Sequence, residues 1–162
     1  MKYPDGVESD TKRLSVGIDP GRDGALGWIS QDRTDIGLLK FTPDNLSAIV
    51  DTLTRLSIFY DSVDVYLERV HAMPGQGVTS MFSFGKYYGR VQGILAALDM
   101  GYIDVDPQAW QRMMSLGGHQ QNRKEAHANK ARKLFPDLRK QITQKTGDAL
   151  LIAEYAWRRT FL

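Results

Sequence analysis

The stretch SVGIDPGRDGALGWI, residues 15–29, decides how this chain is read. In RLSVGID, Leu14, Val16 and Ile18 alternate with Ser15, Gly17 and Asp19, the two-residue period of a strand. Pro20 and Gly21 then end it. Asp19 therefore closes an otherwise apolar strand on a carboxylate, directly before a glycine-rich turn. Three uses are open to such an acid. It can form the turn, belong to a phosphate-binding loop, or be one ligand of a metal site whose other ligands lie elsewhere.

Working outward, GALGWIS and DIGLLKF read as two further short strands separated by the polar turn QDRT, giving an antiparallel three-stranded meander. TPDNLSAIVDTLTRLSIFY starts a helix, with Thr42 as N-cap, Pro43 in the first turn, and Leu46, Ile49, Val50 and Leu53 as its apolar stripe. SVDVYLERV is a fourth strand: Val63, Val65 and Leu67 face one way, Asp64, Tyr66 and Glu68 the other. After the loop HAMPGQGV a long helix is predicted from about Thr79 to Leu98. A short strand YIDV, a helix opened by Asp106-Pro107, a basic helix over roughly 123–134 and a last helix from about Gly147 complete the chain. This order predicts an α/β fold, a mixed five-stranded sheet flanked by helices. No internal repeat or second-domain linker is visible.

With 162 residues the chain suits one domain with a real core. We read residues 1–13 as a flexible leader and 14–162 as the folded domain. The sequence has no cysteine, which excludes disulfides and thiolate metal sites and suits a reducing compartment. No apolar run approaches the roughly 20 residues that span a bilayer, and MKYPDGVESDTKR lacks the apolar core of a secretory signal. The expected setting is cytoplasm or organellar matrix, without membrane contact. The net charge of +2 conceals an asymmetry: residues 1–106 hold 10 Lys+Arg against 15 Asp+Glu, and residues 107–162 hold 11 against 4. A basic C-terminal part on a near-neutral protein points to a polyanionic partner.

Glu68 occupies the same kind of place as Asp19, near the carboxyl end of a strand. Neighbouring strands would bring the two acids to one patch. A third candidate is Asp148, at the start of the last helix, where a carboxylate also suits the helix dipole and can cap. Each acid taken alone is ordinary. Three together repel unless a divalent ion neutralises them, and hard oxygen ligands select Mg²⁺ or Mn²⁺. A pair of such ions can drive phosphodiester hydrolysis.

These residues carry a resemblance. GIDPG (17–21), YLERVHAMPGQGVTSMFSFGKYYGRVQGIL (66–95) and GDALLIAEYAWRR (147–159) resemble, in order and spacing, three motifs of the RuvC-type Holliday-junction resolvases, over about 140 of the 162 residues. The compact form is similar to that of bacteriophage-type members. The resemblance implies an RNase H-like fold, a homodimer, and Mg²⁺- or Mn²⁺-dependent nicking of two opposed strands of a four-way DNA junction, with two ions per site and no small-molecule cofactor. It implies metal-ligand roles for Asp19, Glu68 and Asp148. One position departs from it: where the family has a further acid or histidine, three residues before the last aspartate, this chain has Lys145. A lysine can bind the scissile phosphate or stabilise developing charge. Whether the site is three acids plus Lys145, or recruits Asp64 or Asp23, stays open at this level. Glu154, about 240° around the helix from Asp148, is a poor substitute.

The resemblance also implies that His71, three residues beyond Glu68, lies near the branch point. Gly85, Gly89 and Gly93 fall on one stripe of the long helix and would allow close approach to the sheet or to a partner helix. The remaining apolar surface of that helix is the expected dimer seam. Arg123, His127 and Lys130 read as one basic helix stripe beside a buried one of Ala128, Ala131 and Phe135. Lys124, Arg132, Lys133, Arg139 and Lys140 enlarge the positive patch expected to hold DNA. Trp110 is assigned to the core, and His119 and His127 lack the partners of a zinc site. Two alternatives keep the fold. One is a nuclease acting on forks, flaps or RNA–DNA hybrids; the other is a branched-DNA binding protein with weak or no nuclease activity. An actin-like sugar kinase would need two such lobes, and this chain has room for one.

Overall fold

The computed structural model describes residues 11–69, 75, 77–116 and 122–162. The alternation around Leu14 forms β1 (Arg13–Asp19), which pairs antiparallel with β2 (Ala25–Ser30); β2 pairs antiparallel with β3 (Ile36–Lys40). The expected meander is therefore present. On its other edge β1 pairs in parallel with β4 (Ser62–Glu68), and β4 with β5 (Tyr102–Val105), giving the strand order β3-β2-β1-β4-β5. The sheet already includes Arg13, and the backbone of Asp61 donates to the Lys12 carbonyl just before it. Residues 1–10 lie outside the described residues.

Strand alternation divides the core in two. Leu14, Val16, Ile18, Val65 and Leu67 point to one face, under α1 (Leu46–Phe59) and α2 (Val78–Ala97). Tyr66 and Ile29 point to the other, under α3 (Pro107–Met113), α4 (Arg123–Leu134) and α5 (Gly147–Phe161). Helix α5 is buried continuously from Gly147 to Ala156, enclosed between the sheet and α3 and α4, with Asp148 and Glu154 the acids within that stretch. What lets it lie so low is β1. A Cβ added to Gly17 would stand 2.2 Å from the Ala153 nitrogen and 2.4 Å from the Ala149 carbonyl oxygen, so α5 backbone rests directly on the strand. Glu154, on this helix, is held by Arg33 and Arg158 at 2.9 and 2.8 Å.

Three expectations are corrected here. Helix α1 begins at Leu46 with Asn45, not Thr42, at its N-cap. The reason is Pro43: it sits inside a turn in which Asn45 donates its backbone N–H to the Thr42 carbonyl and accepts from the Thr42 N–H through Oδ1. Gly85, Gly89 and Gly93 do not meet the sheet, since an added Cβ at each has nothing within 4 Å. His127 does not lie on an exposed stripe; it is 1% exposed. Among the described residues no helix is long and apolar enough to cross a membrane.

Candidate active site

Parallel pairing of β1 with β4, with Ile18 opposite Leu67, places Asp19 and Glu68 side by side at the carboxyl edge of the sheet. The chain departs in opposite directions from these two strands, toward β2 and toward β5. In open α/β sheets that is where ligands bind. The low seat of α5 brings its first turn, and with it Asp148, to the same edge.

Each acid spends one oxygen locally. Asp19 Oδ1 accepts the Gly21 N–H at 3.3 Å, so the turn-forming use of this residue is realised as well. Glu68 Oε1 accepts the indole N–H of Trp110 at 2.9 Å. Asp148 Oδ1 lies 2.8 Å from His127 Nδ1, so its carboxylate does not cap the helix. The second oxygens of the two aspartates turn to one cation: the Lys124 ammonium is hydrogen-bonded to Asp148 Oδ2 and lies 3.9 Å from Asp19 Oδ2.

Charge at this edge is unevenly distributed. Burial pushes Glu68 up, and the nearby charges of Asp19 and Asp148 push it further, to about 8 from its ordinary 4.5. Burial also raises Asp19, with Lys124 opposing. Asp148 is buried too, but hydrogen bonds from His127 and Lys124 outweigh that and hold it below the usual carboxylate range. Burial would lower Lys124, yet Asp148 and Asp19 together raise it. The cluster is short of positive charge, and Glu68 bears the deficit. A raised carboxyl is protonated in the folded chain where the unfolded chain has already ionised, so stability is lost as pH rises from about 4.5 toward 8. We expect the melting temperature in EDTA to fall over that range and Glu68→Gln to flatten the fall; an unchanged slope in the variant would remove Glu68 as its source.

The donor set fits a hard divalent ion in kind: three carboxylates at one edge, whose mutual repulsion raises Asp19 and Glu68 beyond what burial does. Among the described residues no three His, Asp or Glu side chains are closed up enough to hold an ion as they stand. Lys124 stands between two of them and would have to move aside.

The structure thus brings Asp19, Glu68 and Asp148 to one edge and adds Lys124, which the sequence had assigned to the DNA patch. Lys145 is ion-paired with Asp23 at 3.2 Å, and Asp64 pairs with Arg13 at 3.1 Å, toward the other end of its strand. Neither Asp23 nor Asp64 joins the cluster. His71 and His119 lie outside the described residues. Arg123, Lys130 and Lys133 keep to the outer surface of α4 and pair with no acid among the described residues. Arg132 is instead fastened to the Ile142 carbonyl and Glu125. His127 and Trp110 are the site residues that sequence reasoning missed as such. The available signal was spacing: His127 stands four residues before Ala131 on the buried face of α4, and Lys124 four before Ala128 at the rim of that face.

Comparison with solved structures agrees with this architecture. The chain is similar to Thermus thermophilus RuvC in complex with a Holliday-junction substrate, at 16% identity and a TM-score of 0.57, covering 91% of this chain and 93% of that one. A second Thermus thermophilus RuvC structure matches at 17% identity and a TM-score of 0.55, with the same coverage. The fowlpox virus Holliday junction resolvase matches at 17% identity and a TM-score of 0.51, covering 93% and 99%. The shared architecture is the RNase H-like fold expected from the motifs. No protein-family model and no curated protein matches the sequence.

Proposed function

We propose that this protein is a structure-selective endodeoxyribonuclease that resolves four-way DNA junctions, working as a homodimer with Mg²⁺ or Mn²⁺. The observation that carries the reading is the meeting of Asp19, Glu68 and Asp148 at one sheet edge, with the Lys124 ammonium between the two aspartates. When bound, a divalent ion supplies the charge neutralisation and water activation that phosphodiester hydrolysis requires. Asp19, Glu68 and Asp148 would hold it through their free oxygens. Lys124, half exposed at the rim, is then released from Asp148 to receive the scissile phosphate, where its charge offsets the charge that develops. Arg123, Lys130 and Lys133 continue the positive surface along α4 for the DNA arms. Lys145, ion-paired with Asp23, would bind phosphate and not the ion, since a protonated lysine cannot ligate a cation.

A junction has near-twofold symmetry, so an isologous pair of subunits presents two equivalent sites to opposed strands. Helix α2 supports such pairing, because Val78 and Phe82 are 79% and 74% exposed beside the open glycine stripe. The work would be done in cytoplasm or organellar matrix. One observation favours a second reading, a junction-binding protein without cleavage: Lys124 already stands where the ion is needed.

The test is cleavage of a synthetic four-way junction, a fork and an RNA–DNA hybrid in Mg²⁺ and in Mn²⁺, with sedimentation to give the subunit number. We expect paired nicks in opposed strands of the junction, by a dimer. Binding should weaken with salt by roughly one log unit of affinity per log unit of salt for each phosphate contact. Preferred cutting of the hybrid or fork would change the substrate. Tight, salt-sensitive binding without nicking in either metal would select the second reading.

A further inference from the structure

Glu68 and Asp148 come from distant elements, β4 and α5, yet they are joined through two rings. Trp110 is fully buried and donates to Glu68 Oε1 at 2.9 Å; His127 is 1% exposed and lies 2.8 Å from Asp148 Oδ1. The two rings meet edge to face, with centroids 5.1 Å apart at 73°. Because Asp148 is an ionised acceptor, the hydrogen of this bond sits on His127 Nδ1, which leaves Nε2 buried with no hydrogen-bond partner among the described residues. A buried imidazole that forgoes one hydrogen bond has its orientation set by the other and by the ring against it.

We infer that Trp110 and His127 are positioning residues. They form a rigid aromatic spacer that fixes the distance between Glu68 and Asp148 and engages one oxygen of each, leaving the other oxygen for the cation. The inference rests on the metal-site reading above. Rings suit this role because they hold hydrogen-bond donors at a fixed separation once packed. Flexible side chains in their place would let the mutual repulsion of the acids spread the site. Neither residue touches DNA or the ion, and both act through the carboxylates.

The test uses the full chain. Mn²⁺ affinity is measured by calorimetry for wild type, Trp110→Phe, His127→Ala and His127→Asn. The indole ¹H–¹⁵N signal of Trp110, assigned by its loss in Trp110→Phe, is followed during Mg²⁺ titration. Trp110→Phe keeps the ring and removes the donor; His127→Asn keeps a donor at the Nδ1 position. We expect Trp110→Phe and His127→Ala to weaken Mn²⁺ binding about 10-fold or more, and His127→Asn to recover most of the loss. Raising Mn²⁺ should restore kcat in the weakened variants without changing KM for the junction. A purely structural role would lower the melting temperature without that rescue. Folded Trp110→Phe and His127→Ala proteins that bind Mn²⁺ with wild-type affinity would overturn the inference and leave the metal reading standing. A wild type with no saturable response to either metal would overturn both.

Discussion

Asp19→Asn, Glu68→Gln and Asp148→Asn each lose junction cleavage by at least about 10²- to 10³-fold, while the junction still binds. The magnitude is that of removing one preorganised charged contact from the reacting centre. The substitutions preserve shape: Asn at 19 can still accept the Gly21 N–H, and Gln at 68 the Trp110 indole N–H. Asp19→Asn and Asp148→Asn each remove a negative charge from the edge, whereas Glu68→Gln removes a carboxyl that burial, and then the charges of Asp19 and Asp148, push up to about 8. Without metal, the charge lost at 19 or 148 makes the edge less repulsive to a phosphate, so junction affinity in EDTA should tighten for those two variants. It should hold for Glu68→Gln, whose carboxyl is already protonated in the folded chain. Cleavage within about 10-fold of wild type by any one variant would remove that residue from the cage. Joint loss of binding and cleavage would point to the fold and not the chemistry.

The two motif acids on strands were legible because a strand's period is local: once Leu14, Val16 and Ile18 fix β1, and Val63, Val65 and Leu67 fix β4, Asp19 and Glu68 have known places. Their adjacency depended on β1 and β4 being neighbours, which the ordered motifs implied and the parallel register bears out. Lys124 and His127 were harder. On a helix rich in cations, composition does not say which face turns inward, and Ala128, Ala131 and Phe135 settle it only when read together with positions 124 and 127. Burying a histidine, and half-burying a lysine beside it, is costly unless a carboxylate awaits them. Asp148, which supplies the compensation, arrives from a helix more than 20 residues away. Trp110 was rightly given to the core by its size, but its N–H needed a partner, and the partner is Glu68. Thr42 misled because Thr-Pro also opens a turn, and there the turn prevailed.

Gly17→Ala should damage fold and site together. The added methyl meets only backbone of α5, at 2.2 Å from the Ala153 nitrogen and 2.4 Å from the Ala149 oxygen, so no side chain can turn away to admit it. The helix must rise or the strand must bend. Overpacking of this kind costs about 1–3 kcal/mol and sometimes more. At the upper end that lowers the melting temperature of a chain this long by about 6–12 °C. Gly27→Ala, whose added Cβ would lie 3.1 Å from Ala149 and Leu150 backbone, is the graded comparison and should cost less. Gly93→Ala, facing open space on α2, should leave the folded monomer intact. The functional consequence follows from position: Gly17 is two residues from Asp19, and Ala149 is next to Asp148. Any lift of α5 therefore opens the distance between two of the three acids. Gly17→Ala protein kept below its lowered melting temperature should bind Mn²⁺ more weakly and cleave more slowly than Gly27→Ala. If it melts like wild type and binds metal equally well, then the glycine contact does not set the site, and the low seat of α5 has another cause.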